Sequence, residues 1–323
     1  MFKIFITRKI PESGIKILQE KGYEVTISQK DGILTKTELI QALQEKPYQA
    51  VLCLLTDKID AEVLEAAGKE CKIFANYAVG FDNIDLEAAQ NKNILITNTP
   101  GVLTATVAEH TWALILALAH RIVESDQFTR LSKYTGWAPM LFLGQDVSQK
   151  TLGVLGLGKI GLRVADQAVQ GFKMKILYYD HQPNLKFEKK YKASFVKLET
   201  LLQESDFISI HLPLLPKTRH LIGEKELKMM KKSAYLINTS RGPIIDEKML
   251  VKALQENWIR GAALDVYENE PELAPGLTDL KNVILTPHTA SATEETRSKM
   301  SELAAINIIE VLEGKIPPNL VKN

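Results

Sequence analysis

Short apolar runs alternate with stretches of helical spacing along most of the chain. Lys3–Thr7 is the first apolar run, and Pro11 opens a helical pattern that ends near Gly22. Val25–Ile27, Ala50–Leu55, Lys72–Asn76 and Ile94–Thr97 predict further strands, with helical patterns between them. Strands that are apolar throughout and alternate with helices predict a parallel sheet covered on both faces. The Thr99-Pro100-Gly101 turn breaks this series. One long helix is expected over 104–131, with apolar residues on more than one face. That distribution predicts burial on two sides, one of them against a second subunit. A loop rich in Gly, Trp and Pro (136–144) leads into a second series. Its strands are expected at Thr151–Gly156, Lys173–Asp180, Asp206–Leu212, Ala234–Asn238, Ala262–Val266 and Val283–Thr286. A closing helix is expected from Glu294 to Glu313. The pattern predicts an α/β chain with two doubly wound parallel sheets.

Composition agrees with that picture and narrows the function. The chain has 323 residues, more than one core usually holds and suited to two domains. Forty basic against 39 acidic residues leave a net charge of +1, so charge gives no reason to expect a nucleic acid or an anionic membrane as partner. Cys53 and Cys71 lie in apolar runs and form no CxxC pair and no metal-ligand spacing. They are expected as two buried thiols in a reducing compartment, and no metal site is expected. The start, MFKIFITRKIP, lacks a long apolar stretch with a cleavage site, and the apolar run Trp112–Ala119 is too short to span a bilayer. The expectation is a cytoplasmic protein with no membrane partner.

The first chemical signal is Gly156-Leu157-Gly158-Lys159-Ile160-Gly161, a GxGxxG match. Alone it is weak, because glycine is common in turns. Here an apolar strand precedes it and a helical pattern follows it. A second strand then ends in Asp180, 19 residues after Gly161. Each part has a physical task in binding a dinucleotide. Gly156 permits the tight turn, Gly158 lets the backbone approach a pyrophosphate, and Gly161 permits close helix–strand packing. Lys159 and Ile160 open the helix, whose free N–H groups and partial positive charge suit phosphate. Asp180 would accept hydrogen bonds from the adenosine ribose and repel a 2′-phosphate, so the expected cofactor is NAD, with NADH preferred over NADPH. His181, beside it, weakens that preference slightly.

Reduction of a 2-keto acid needs three groups besides hydride. A cation must hold the carboxylate and polarise the ketone. An acid must protonate the new alkoxide, and a partner must orient that acid and stabilise its cationic form. The second series offers one of each: Arg241 in NTSRG, His288 in LTPHTAS and Glu270 in DVYENEP. All three follow expected strands at their carboxyl ends, where open α/β sheets place ligands. His110 and His120, on the long helix, are expected in packing or solvent, and His211 is not expected to transfer protons.

Six motifs then carry a resemblance: NYAVGFDNID (76–85), GVLGLGKIG (153–161), HLPL (211–214), INTSRGPIIDE (237–247), GAALDVYENEP (261–271) and TPHTAS (286–291). With these, the chain resembles the D-isomer-specific 2-hydroxyacid dehydrogenases and is most similar to their glyoxylate/hydroxypyruvate reductase branch. The resemblance implies two Rossmann-like domains, one flavodoxin-like for substrate and one for the dinucleotide, with a cleft between them. Residues 1–99 and 290–323 would form the substrate domain and 100–289 the NAD domain. It implies that Arg241 binds substrate, that His288 is the acid/base and that Glu270 hydrogen-bonds it. The N–H groups of Val79 and Gly80 would cradle the substrate carboxylate, and Asp265 would contact the nicotinamide side. Thr106, Leu212, Pro213 and Ser240 would line the cofactor site. Trp137 would reach the active site of a partner subunit and limit substrate size, in a homodimer formed through the 104–131 helix region. The implied reaction converts a small 2-keto acid to its D-2-hydroxy acid. His288 is followed by Thr289-Ala290, where many members have Ile-Gly, which leaves the loop's detail open. The same residues also allow a D-lactate or phosphoglycerate type of dehydrogenase, or an NAD-sensing protein of the corepressor kind.

Overall fold

Runs of Ile, Val and Leu in this chain become the strands of two all-parallel sheets. The computed structural model describes residues 1–322. It divides into two units, the first made of Met1–Leu103 with the chain from Ala292 on, the second of Thr104–Ser291. The resemblance gives 99/100 and 289/290 for these crossings.

The first unit runs β1 (Lys3–Ile6), α1 (Glu12–Glu20), β2 (Glu24–Ile27), α2 (Lys36–Gln44), β3 (Ala50–Leu54), α3 (Ala61–Ala66), β4 (Ile73–Tyr77), α4 (Leu86–Asn91) and β5 (Leu95–Thr97). Its sheet has the order β2-β1-β3-β4-β5, a flavodoxin-like arrangement. Residues of both parities in β3 and β4 are fully buried, as a sheet covered on both faces requires. Local signals fix the helix starts. Thr35 and Glu38 form a capping box at α2, and the carboxylates of Asp60 and Asp85 cap α3 and α4.

The second unit opens with α5 (Thr104–Ala119) and α6 (Ile122–Arg130). It continues β6 (Thr151–Leu155), α7 (Lys159–Phe172), β7 (Lys175–Tyr179), α8 (Leu185–Tyr191), β8 (Ser194–Phe195), α9 (Leu198–Glu204) and β9 (Phe207–Ile210). Then come α10 (Glu224–Met229), β10 (Tyr235–Asn238), α11 (Glu247–Gln255), β11 (Gly261–Leu264) and β12 (Val283–Leu285). The strand order β8-β7-β6-β9-β10-β11-β12 is that of a Rossmann sheet with one added strand. One apolar cluster packs α5 and α7 on one face of the sheet, and a second packs α9, α10 and α11 on the alternate residues of the same strands, its other face. The chain then returns to the first unit in α12 (Glu294–Leu312). Gly14 of α1 lies directly against Ser301 of α12, where a Cβ would collide, and the Gly14 N–H donates to the Ser301 hydroxyl at 3.2 Å.

The single helix expected over 104–131 is corrected to two. Arg121 adopts the left-handed conformation (φ 54°) and separates α5 from α6. The cause lies later in the chain. The Gln145 N–H takes the Ala119 carbonyl at 2.8 Å, and Gly144 sits so close to that carbonyl that a Cβ would strike it. The two-residue edge strand β8 has no counterpart among the expected strands. Cys53 and Cys71 are buried and free, and burial raises both thiols, Cys71 to about 12. No helix among the described residues is long and apolar enough to cross a membrane.

Candidate active site

The glycine corner follows β6. Gly156 has φ 93°, and a Cβ there would lie 2.7 Å from the His211 carbonyl oxygen. A side chain at Gly161 would collide with the Gly156 carbonyl. Gly158 differs from both: a Cβ there meets nothing within 4 Å, so open space adjoins its backbone. It is the N-cap of α7, and no side chain caps that helix start. Lys159 is exposed, and Ile160 packs partly against the core below. A bare, uncapped helix start beside open space fits a phosphate group.

Asp180 stands at the end of the neighbouring strand β7. It accepts the Leu157 N–H at 2.7 Å and the His181 N–H at 2.6 Å, with the His181 ring 2.5 Å away. Burial raises its pKa, but these donors outweigh burial and hold the carboxyl below the ordinary range. Leu212, after β9, comes within 3.0 Å of where a Gly156 Cβ would stand. The Thr218 hydroxyl fixes the following turn by donating to the Pro213 carbonyl at 2.7 Å. Burial pushes His211 down to about 3, and its Nε2 pairs with the Ser209 hydroxyl at 2.8 Å. Thr106 lies in the first turn of α5, half-buried.

The acid/base candidates meet at the carboxyl ends of β11 and β12. His288 Nδ1 lies 2.9 Å from Glu270 Oε2. Glu270 Oε1 accepts the Tyr267 N–H at 3.0 Å, so both carboxylate oxygens are held. His288 has φ 53°, a left-handed conformation that costs a non-glycine residue energy. The surrounding loop compensates. The His288 N–H donates to the Asp265 carbonyl at 2.9 Å. The Asp265 carboxylate, fully buried, accepts from the Thr286 hydroxyl (2.7 Å), the Thr289 N–H (2.8 Å) and the Ala290 N–H (2.8 Å). His110 Nε2 stands 3.5 Å from the same carboxylate. Burial raises Asp265, but donors led by His110 and Thr286 more than offset it, and its pKa is lowered. Asp265 thus wraps the turn that presents His288.

Arg241 follows β10. Its Nη1 donates to the Ser240 carbonyl at 2.8 Å. Buried Asn238 shapes this turn: its side chain accepts the Ser240 N–H (3.0 Å) and hydroxyl (2.9 Å) and donates to the Arg241 carbonyl (2.9 Å). A Cβ on Gly242 would collide with the Tyr267 carbonyl, so the Arg241 turn rests on the segment that carries Glu270. The second unit therefore brings Gly156, Gly161, Asp180 and Leu212 together, and separately Glu270, His288, Asp265 and the Arg241 turn.

The remaining candidates lie in other segments of the chain. Val79 and Gly80 follow β4 in the first unit, their carbonyls bound by Asn98 (2.8 Å) and Asn76 (2.9 Å). Trp137 is 83% exposed in a segment whose Tyr134, Met140 and Leu143 are exposed too. Sequence reasoning missed Asn238, Tyr267 and His110. A buried polar residue ending an apolar strand was the available sign for Asn238; the other two depend on contacts distant in sequence.

Comparison with known proteins matches residues 112–290 to the model of the D-isomer specific 2-hydroxyacid dehydrogenase, NAD binding domain. A glyoxylate reductase of Thermococcus litoralis is 50% identical over 99% of this chain and 96% of its own length. A solved Thermus thermophilus structure has a TM-score of 0.93 at 39% identity, covering 99% of this chain and all of that one. An NADPH-dependent glyoxylate/hydroxypyruvate reductase of Sinorhizobium meliloti, solved with NADP and malonate, has a TM-score of 0.86 at 27% identity, covering 99% and 96%.

Proposed function

The chain belongs to the D-isomer-specific 2-hydroxyacid dehydrogenases, and from that premise we propose that it reduces glyoxylate or hydroxypyruvate to the D-2-hydroxy acid with NADH. The observation that carries the reading is the Glu270–His288 pair, 2.9 Å apart, in the unit that holds the glycine corner. A nicotinamide dinucleotide supplies the hydride when bound. The chain's own residues do the rest. Gly158 and the start of α7 hold the pyrophosphate, and Asp180 holds the adenosine ribose. Thr106, Leu212, Pro213 and Ser240 line the cofactor site.

Arg241 binds the substrate carboxylate and polarises the ketone, and the Val79 and Gly80 N–H groups complete the carboxylate cradle. His288 gives a proton to the ketone oxygen as the hydroxy acid forms, and Glu270 stabilises the imidazolium before that transfer. Reduction consumes this proton, so lower pH favours reduction over oxidation. Residues 1–99 and 290–323 serve the substrate and 100–289 the dinucleotide. The exposed Trp137 segment supports a homodimer in which that residue limits the partner's substrate pocket.

The test is consumption of NADH and, in parallel, NADPH with glyoxylate, hydroxypyruvate and pyruvate. Turnover of the first two with NADH is expected. Tight NADH binding without turnover of any keto acid would overturn the enzyme reading in favour of an NAD sensor. A strong preference for NADPH would overturn the role given to Asp180.

A further inference from the structure

Glu247 and Glu268 face each other in a reciprocal clasp that the reaction does not call on directly. Glu247 opens α11 and is 4% exposed. Its carboxylate accepts the Glu268 N–H at 2.6 Å and the Ala274 N–H at 2.9 Å. In return the Glu268 carboxylate accepts the Glu247 N–H at 3.3 Å. Two carboxylates so placed tolerate each other because each faces backbone donors. Arg219 (3.2 Å) and His220 (2.6 Å) also bind the outer oxygen of Glu268.

The clasp grips the segment carrying Glu270 on both sides, at Glu268 and at Ala274. Next to it, Tyr267 links three parts of the site. Its N–H holds Glu270 Oε1, and its hydroxyl donates to the Thr286 carbonyl at 2.9 Å, two residues before His288. Its carbonyl rests on Gly242, the residue after Arg241. Burial and the charges of Asp265, Glu247 and Glu270 push the Tyr267 hydroxyl up to about 12, so it remains a donor. From Arg241 the chain runs through Gly242 and Asp246 into Glu247. The clasp therefore closes a loop of structure that contains Arg241 at one end and Glu270 at the other.

From this geometry we infer that Glu247 and Glu268 are positioning residues, which fix where Glu270 holds His288 relative to the Arg241 turn. The catalytic consequence rests on the proposed function; the placement of His288 does not.

The test uses the whole chain labelled with [15N]histidine, with the His288 Nδ1 resonance assigned by its loss in His288→Asn. Glu247→Gln exchanges one acceptor oxygen for an amide that cannot accept a backbone N–H. It is expected to move the His288 resonance toward its position in Glu270→Gln and to lower kcat about tenfold, with KM for NADH unchanged. Glu268→Gln sits nearer the surface and serves if the buried variant does not fold; the same shift and a smaller loss of kcat are expected. A wild-type resonance together with wild-type kcat in a folded variant would overturn the inference. If wild-type protein turns over no keto acid, the proposed function fails while the resonance still decides the clasp.

Discussion

The corner after β1 and the corner after β6 occupy the same topological place, the first strand-to-helix turn of a doubly wound sheet. They are built from opposite materials. After β1 the chain runs Thr7-Arg8-Lys9-Ile10-Pro11, with the Thr7 hydroxyl donating to buried Asp57 and Arg8 to the Thr56 hydroxyl. A cavity of about 590 Å³ borders this corner, but long charged side chains line it, among them Arg8, Lys9, Lys16 and Lys30. After β6 the glycines leave backbone bare, with open space at Gly158. The fold supplies the place; on the proposed function, backbone left bare at Gly158 is what makes one such place the dinucleotide site.

The sharpest way to break this comparison is to add a side chain where the structure has room for one. The Cβ of Gly158→Val meets no protein atom within 4 Å, so folding is expected to survive while NADH affinity falls about 100-fold, because the phosphates lose their approach. Arg8→Ala, at the other corner, is expected to leave affinity unchanged. Fluorescence titration with NADH checks both, and wild-type binding by Gly158→Val would end the comparison.

The buried aspartates sharpen it next. Asp57 has two donors, the Thr7 hydroxyl and the Leu54 N–H; burial wins, and its pKa is raised from 3.8. Asp265 has more donors, on both oxygens, and its pKa is lowered from 3.8. The signs follow by linkage. Asp265 contributes stability above its ordinary value, lost as pH falls through the lower folded value. The contribution of Asp57 is full below its ordinary value and is lost as pH rises through the higher folded value. At neutral pH Asp265→Asn is therefore expected to cost about 2 kcal/mol, and Asp57→Asn to leave stability unchanged or raised. Denaturant unfolding at neutral and acid pH checks this, and equal losses in the two variants would refute it.

A smaller effect concerns specificity. Asp180→Ala is expected to raise KM for NADH about tenfold and to narrow its advantage over NADPH. Steady-state kinetics with both cofactors measures this, and an unchanged ratio would remove Asp180 from cofactor selection.

Much of this was legible in the sequence because its causes are local. Apolar runs mark the buried strands, and the glycine spacing marks the β6 corner, where Gly156 takes a positive φ and Gly161 packs on the Gly156 carbonyl while Gly158 leaves its backbone open. Arg241, Glu270 and His288 are candidates drawn from the chemistry a keto acid requires and from the motifs around them; the structure pairs Glu270 with His288 at 2.9 Å. What was not legible depends on distant partners. The break at Arg121 is set by Gly144 and Gln145, and His288 is aimed by Asp265 and by Tyr267, whose amide holds Glu270. The resemblance gave Asp265 a contact with nicotinamide; that its carboxylate is engaged by the Thr286–Ala290 turn emerges only in three dimensions.

The central claim is that His288, held by Glu270, moves the proton in a reaction whose cofactor is bound elsewhere in the same unit. His288→Asn separates these roles. Turnover is expected to fall by about 10²–10⁴ while the Kd for NADH stays at its wild-type value. Near-normal turnover, or loss of NADH binding together with activity, would contradict the account.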